Sequence, residues 1–173
     1  MAFSQATPAD VPSAISTICS FLSNQLGWTA PYDSGTQTGT VTIPGKAATF
    51  TLTRGHYSSG YSSYNGSYEF EYLQVDVTGV AEPWATRCNC LTPLTRMYLF
   101  AGTDPEPWVH VTFETAPGYF QHLYFGYVEK YGNYAGGAIA DGTYWRISTA
   151  DYNREWNISD QHLLFGGQTA YGT

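Results

Sequence analysis

Between residues 10 and 27 the apolar positions recur at three- and four-residue steps: Val11, Ala14, Ile15, Ile18, Cys19, Leu22 and Leu26. This spacing lays them along one face of an α-helix and predicts a helix over 10–27. Both ends carry matching signals. Asp10 can cap the N-terminus with its carboxylate, Pro12 falls in the first turn where its missing N–H costs nothing, and Gly27 stands where a left-handed residue closes a helix. The opposite face, Ser13, Ser16, Thr17, Ser20 and Asn24, is polar but uncharged.

From residue 38 the period changes to two, in short runs of Val, Ile, Thr, Phe and Tyr separated by Gly, Pro, Asn and Ser. "TGTVTIP" and "AATFTLTR", joined through "PGK", predict a hairpin with Val41, Ile43, Phe50 and Leu52 alternating against threonines. Residues 67–79 predict a longer strand. Phe70 and Tyr72 alternate there with Glu69 and Glu71, then Val75 and Val77 with Gln74 and Asp76, so the apolar parity slips and a bulge is expected near Leu73. "RMYLFAG", "WVHVTFET" and "GYFQHLYFGYVEK" supply three further strands. The tract "GHYSSGYSSYNGSY", 55–68, has few aliphatic residues to bury and reads as a surface loop whose Tyr57, Tyr61, Tyr64 and Tyr68 make contacts. The expected fold is α+β, mainly β: an N-terminal amphipathic helix packed on a twisted, mostly antiparallel sheet or small barrel. One domain is expected over 1–173, with the β body at 38–147 and a tail at 148–173 able to add a final strand.

Composition narrows the partners. Charged residues are 12% and aromatics 17%, with 15 tyrosines, so the polar surface rests on hydroxyls, amides and glycine backbone. A formal charge of −7 lacks the basic footprint that neutralises phosphates, which argues against nucleic acid. No apolar run reaches the ~20 residues of a membrane helix, and "MAFSQATPAD" has neither part of a signal peptide. A cytosolic chain without membrane insertion is expected, and with it free thiols at Cys19, Cys88 and Cys90.

Chemical signals are sparse. "CNC" at 88–90 lacks the spacing and the second pair of a structural zinc site. No Gly-x-Ser-x-Gly elbow accompanies the four histidines, His56, His110, His122 and His162. His110 comes near His122 if their strands pair across "TAPGY"; two strand histidines can bind a metal, but no third ligand is spaced to join them. The glycine clusters at 135–137 and 165–167 are not followed by helices that cradle phosphate. The residues therefore assign no catalytic group, no metal and no cofactor. Three readings remain: an assembly subunit, a carbohydrate-binding module stacking sugars on the 57–68 tyrosines with Trp84, Trp108, Trp145 and Trp156, and a wall hydrolase using His122 or His162 as base.

Within 109–145, Phe120, His122, Leu123, Phe125, Gly126, Lys130, Gly132, Tyr134, Gly136, Gly137, Tyr144 and Trp145 form a pattern that resembles a group of tailed-bacteriophage virion proteins. In that group a Phe-x-His-Leu-x-Phe-Gly strand precedes a Gly-Gly pair and a Tyr-Trp, and "HLLF" at 162–165 is similar to its closing segment. The match covers about a fifth of the chain strongly. The resemblance implies a structural protein of the tail, neck or baseplate, assembled in the host cytoplasm, that contacts other virion proteins and copies of itself; it carries no enzymatic activity. A host-surface glycan is the partner in the alternative, carbohydrate-binding reading. "QHLYFGYVEKYG" at 121–132 and "QHLLFGGQTAYG" at 161–172 run in step. Alternation places Phe120, His122 and Tyr124 on one face of the first stretch. With Tyr119, Leu123 and Phe125 on the other, both faces are expected to be covered, by the helix and by a partner, which makes His122 an interior residue.

Overall fold

The structure, a computed structural model, describes residues 1–58, 69–80, 83–90, 94–129, 137–142 and 164–165. Helix α1 runs Val11–Leu26 with the predicted ends. The Asp10 carboxylate accepts the Ser13 backbone N–H at 2.8 Å while the Ser13 hydroxyl accepts the Asp10 N–H at 3.0 Å, a reciprocal box that satisfies two otherwise orphaned donors. At the other end Gly27 takes φ +66°, and the Gly27 and Trp28 N–H groups bond back to Ser23 and Leu22 carbonyls.

The strands are β1 (Ala2–Ala6), β2 (Tyr32–Asp33), β3 (Thr38–Thr42), β4 (Thr49–Ser58), β5 (Glu69–Thr78), β6 (Trp84–Cys90), β7 (Arg96–Gly102), β8 (Trp108–Ala116), β9 (Tyr119–Val128), β10 (Gly137–Gly142) and β11 (Leu164–Phe165). They form a six-stranded sheet, β1-β7-β8-β9-β10-β11, and a five-stranded sheet, β2-β3-β4-β5-β6, with every pairing antiparallel. The fold is the expected α+β, mainly β, with the N-terminal helix packed on antiparallel sheet; the strands divide into two stacked sheets, and neither closes into a barrel. Helix α1 lies against β1 and β7 of one sheet and against β2, β3, β4 and β5 of the other, while β6 lies directly against β9 and β10. Both inner faces and the helix share one core, in which Phe50, Leu52, Val75, Leu99, Phe113, Leu123, Phe125, Ile15 and Leu22 are fully buried. Where the sheets converge there is no room for a side chain: a Cβ on Gly142 of β10 would strike the Arg87 carbonyl of β6.

Several sequence expectations change. The tract 55–68 was expected to be loop throughout, yet β4 continues through Gly55, His56, Tyr57 and Ser58, paired without a break to Tyr72, Glu71, Phe70 and Glu69. The reason is steric. Tyr72 lies flat over Gly55, whose missing side chain makes the space, and the Arg87 guanidinium covers the same ring at 4.8 Å. The bulge expected near Leu73 is also absent: β5 keeps continuous register with β4 and with β6. Leu73, Val75 and Val77 point inward, while Tyr72 is an outward aromatic held on its cross-strand glycine rather than a mark of slipped parity. Among the described residues of the six-stranded sheet, a register shift lies instead between Glu114 and Ala116, beside the β8–β9 turn. That turn has Pro117 followed by Gly118 at φ +81°, the residue order a type II turn requires. The tail's final strand is present as β11, pairing Leu164 and Phe165 with Ala140 and Ile139.

Candidate functional site

The two sheets present unlike outer faces. On the five-stranded sheet the outward positions include Thr40, Thr42, Thr49, Thr51, Thr53, Gln74, Asp76 and Thr78, a hydroxyl-rich surface that water solvates well. On the six-stranded sheet the outward positions of β1, β7, β8 and β9 carry rings. Phe3 lies 5.1 Å from Phe100, Phe100 lies 6.0 Å from His110, and His110 lies 5.3 Å from His122 and 6.1 Å from Tyr124. Trp108 completes the band, its plane 5° from that of Tyr124 with centroids 6.4 Å apart. Register explains the continuity: Phe3 pairs with Phe100, Phe100 with His110 and His110 with Tyr124, so one ring from each strand meets the next directly across the sheet.

Exposure makes this face more than decoration. Phe3 is 56% and Phe120 44% exposed, whereas Phe100, Trp108, His110 and Tyr124 are half-buried by one another. Charge stays at the margin of the band, where Arg96 lies 3.9 Å from Glu114 and donates to the Tyr98 hydroxyl at 3.0 Å. Of the two covers expected for β9, the inner one is corrected: Gln121, Leu123 and Phe125 are buried against the opposite sheet rather than the helix. The outer face, expected to meet a partner, is exposed on the single chain, His122 with it. The strand alternation that named these positions is right, but alternation alone does not say which face meets the core.

The histidines do meet across the β8–β9 hairpin. His110 Nε2 and His122 Nδ1 are 3.1 Å apart, and the Thr112 hydroxyl lies 3.5 Å from the first and 3.4 Å from the second. Burial first, and the His122 charge second, hold the His110 imidazole below the ordinary histidine value. Burial likewise pushes the Tyr124 phenol up. Thr112 escaped the sequence reading because a threonine in a strand carries no signal of its own. Its position two residues after His110, which puts both on one face, is the clue that was available.

The other sequence-named residues scatter. Gly126 and Gly137 sit in β9 and β10, Gly126 with φ +144° against the Pro107 carbonyl, which makes it a backbone-contact residue. Leu123 and Phe125 are core. The Tyr57 side chain, and Tyr61, Tyr64, Tyr68, Gly136, Trp145 and Trp156, lie outside the described residues, so the tyrosine-tract platform is not placed. Trp84 is no part of a platform: it pairs with Val77 and packs against the core. Cys19, Cys88 and Cys90 are buried thiols in no disulfide among the described residues, the Cys19 thiol pushed up to about 11 by burial, and they pack in the core as small residues. Glu71 is ion-paired with Arg54, and Glu106 with Lys46. Comparison of the chain with family models, curated proteins and solved structures found no match.

Proposed function

We propose that this chain is a structural subunit of a tailed-phage particle, held in the tail, neck or baseplate through the aromatic outer face of its six-stranded sheet. The observation that carries the reading is the unbroken ring band from Phe3 to Trp108, exposed at its edges and bordered, not crossed, by charge. Charges are depleted and aromatics enriched at the centres of protein interfaces, because rings bury large area at low entropy cost while a charge must be desolvated. The occupant is a neighbouring subunit, another copy of the chain included, since a heterologous contact between copies closes into a ring when its rotation permits. The resemblance of residues 109–145 supplies the phage context.

The test introduces a charge where little else changes. Phe3→Glu and Phe120→Glu alter exposed side chains, so both variants are expected to keep the wild-type circular dichroism while failing to form the discrete oligomers that native mass spectrometry is expected to detect for the unaltered chain. In infected cells they would fail to enter particles. Wild-type-like assembly of both variants would sink the reading.

A second reading has its own support. The near-parallel Trp108 and Tyr124 rings suit the apolar face of a sugar, which would make the band a glycan platform. Saturable binding to host-surface polysaccharide, abolished by Trp108→Ala with assembly intact, would favour it over the first.

A further inference from the structure

The imidazole pair at the centre of the ring band has a geometry that stacking does not require. His110 Nε2, His122 Nδ1 and Thr112 Oγ1 form a small triangle with sides of 3.1, 3.4 and 3.5 Å. Corners so spaced can all reach a single ion at the ~2.0–2.2 Å typical of metal bonds to imidazole nitrogen and to oxygen. The scaffold is rigid. His110 and Thr112 are two apart on β8, and Thr112 pairs directly with His122 on β9, so sheet register sets all three positions. The face is also open outward, since His122 is exposed and His110 half-buried, so an ion can enter and complete its shell with water.

We propose that His110 and His122, with the Thr112 hydroxyl as third corner, bind a transition-metal dication of the imidazole-preferring kind: copper(II), nickel(II) or zinc(II). The donor set decides the class. Among the described residues no Asp, Glu or Cys joins the two histidines to make a cluster of three such ligands. Nitrogen donors with one neutral hydroxyl do not offer the oxygen cage that calcium and magnesium require. In the metal-free protein one ring donates an N–H to the facing nitrogen of the other. The ion takes the place of that shared proton: the donating ring shifts to the tautomer protonated on its outer nitrogen, so both facing nitrogens present lone pairs and the neutral pair loses no proton overall. The site is argued on the uncovered face of the single chain and does not rest on the docking reading.

Titration calorimetry of the intact chain with copper(II), nickel(II) and zinc(II) chloride in a non-coordinating buffer tests this. One ion per chain is expected, copper binding most tightly and each affinity falling in acid as the imidazoles protonate. His110→Ala and His122→Ala should each weaken binding by at least about tenfold, as loss of even an outer-shell partner does. His56→Ala should leave it unchanged. A readout that needs no substitution is paramagnetic broadening: substoichiometric copper(II) should broaden the imidazole resonances of His110 and His122 before those of His56. No binding by the wild-type chain, undiminished binding by the His110→Ala/His122→Ala double variant, or broadening that begins at His56 would each overturn the site.

Discussion

Gly126 shows how a residue read as part of a motif acquires a physical reason. Its φ of +144° is open only to glycine, and a Cβ there would strike the Pro107 carbonyl and sit 2.7 Å from the Trp108 Cα. Gly126→Ala is therefore expected to cost at least ~2 kcal/mol in urea denaturation. Gly118, at φ +81° with nothing near its absent Cβ, should cost less, about 1 kcal/mol on replacement by Ala, from backbone strain alone. His110 gives the second prediction at this scale. Its folded value is depressed, so the neutral ring contributes stability that is complete above ~6.5 and is lost as pH falls below that value. The titratable groups beside it are His122 and Tyr124 on β9, while β7 presents the apolar Phe100. Thermal melts should show Tm falling from about pH 7 to about pH 5, less steeply in His110→Gln. A Tm independent of pH across that window would contradict the assignment. Sequence made the histidine pairing visible through the length of the hairpin, but the Thr112 corner and the clash at Gly126 depend on neighbours that only the folded chain supplies.

Among the elements, α1 was almost wholly legible, because helix periodicity and cap chemistry are local. Asp10→Ala should remove the carboxylate's bond to the Ser13 N–H, one half of the capping box, and lower stability by ~1 kcal/mol, measured by urea denaturation, whereas Asp10→Asn should retain most of it. The hydrogen bonds from Ser13 also hold the Asp10 carboxyl below its ordinary value. Part of the cap's contribution is accordingly present at neutral pH and lost as the carboxylate protonates in acid. Strands were legible where alternation was strong, in β3, β7, β8 and β9. They were missed where short or small residues blur it: β1 reads "AFSQA", β10 "GAIADG" and β6 "WATRCNC". The inward residues of β6 include Cys88 and Cys90, which a sequence reading weighs as ligands before it weighs them as core.

At the scale of the whole molecule, the helix and the inner faces of both sheets share one core, so the chain should unfold as a unit. Tryptophan fluorescence and far-ultraviolet circular dichroism are expected to give coincident denaturation curves, and separate transitions would show that the sheets are stable apart. The unlike outer faces also belong to this scale, the threonine surface suited to water and the ring band to a partner. By itself the sequence determined what is local: the capped helix, the β character of the body, the hairpin across Pro117 and Gly118, and the alternation that separates Leu123 and Phe125 from His122 and Tyr124. Tertiary structure decided which side of each alternation meets the core, because that depends on which strands become neighbours and where the helix lies between two sheets. The same register that buried Leu123 turned His122 outward and gathered rings far apart in the chain, from Phe3 to Tyr124, into one surface.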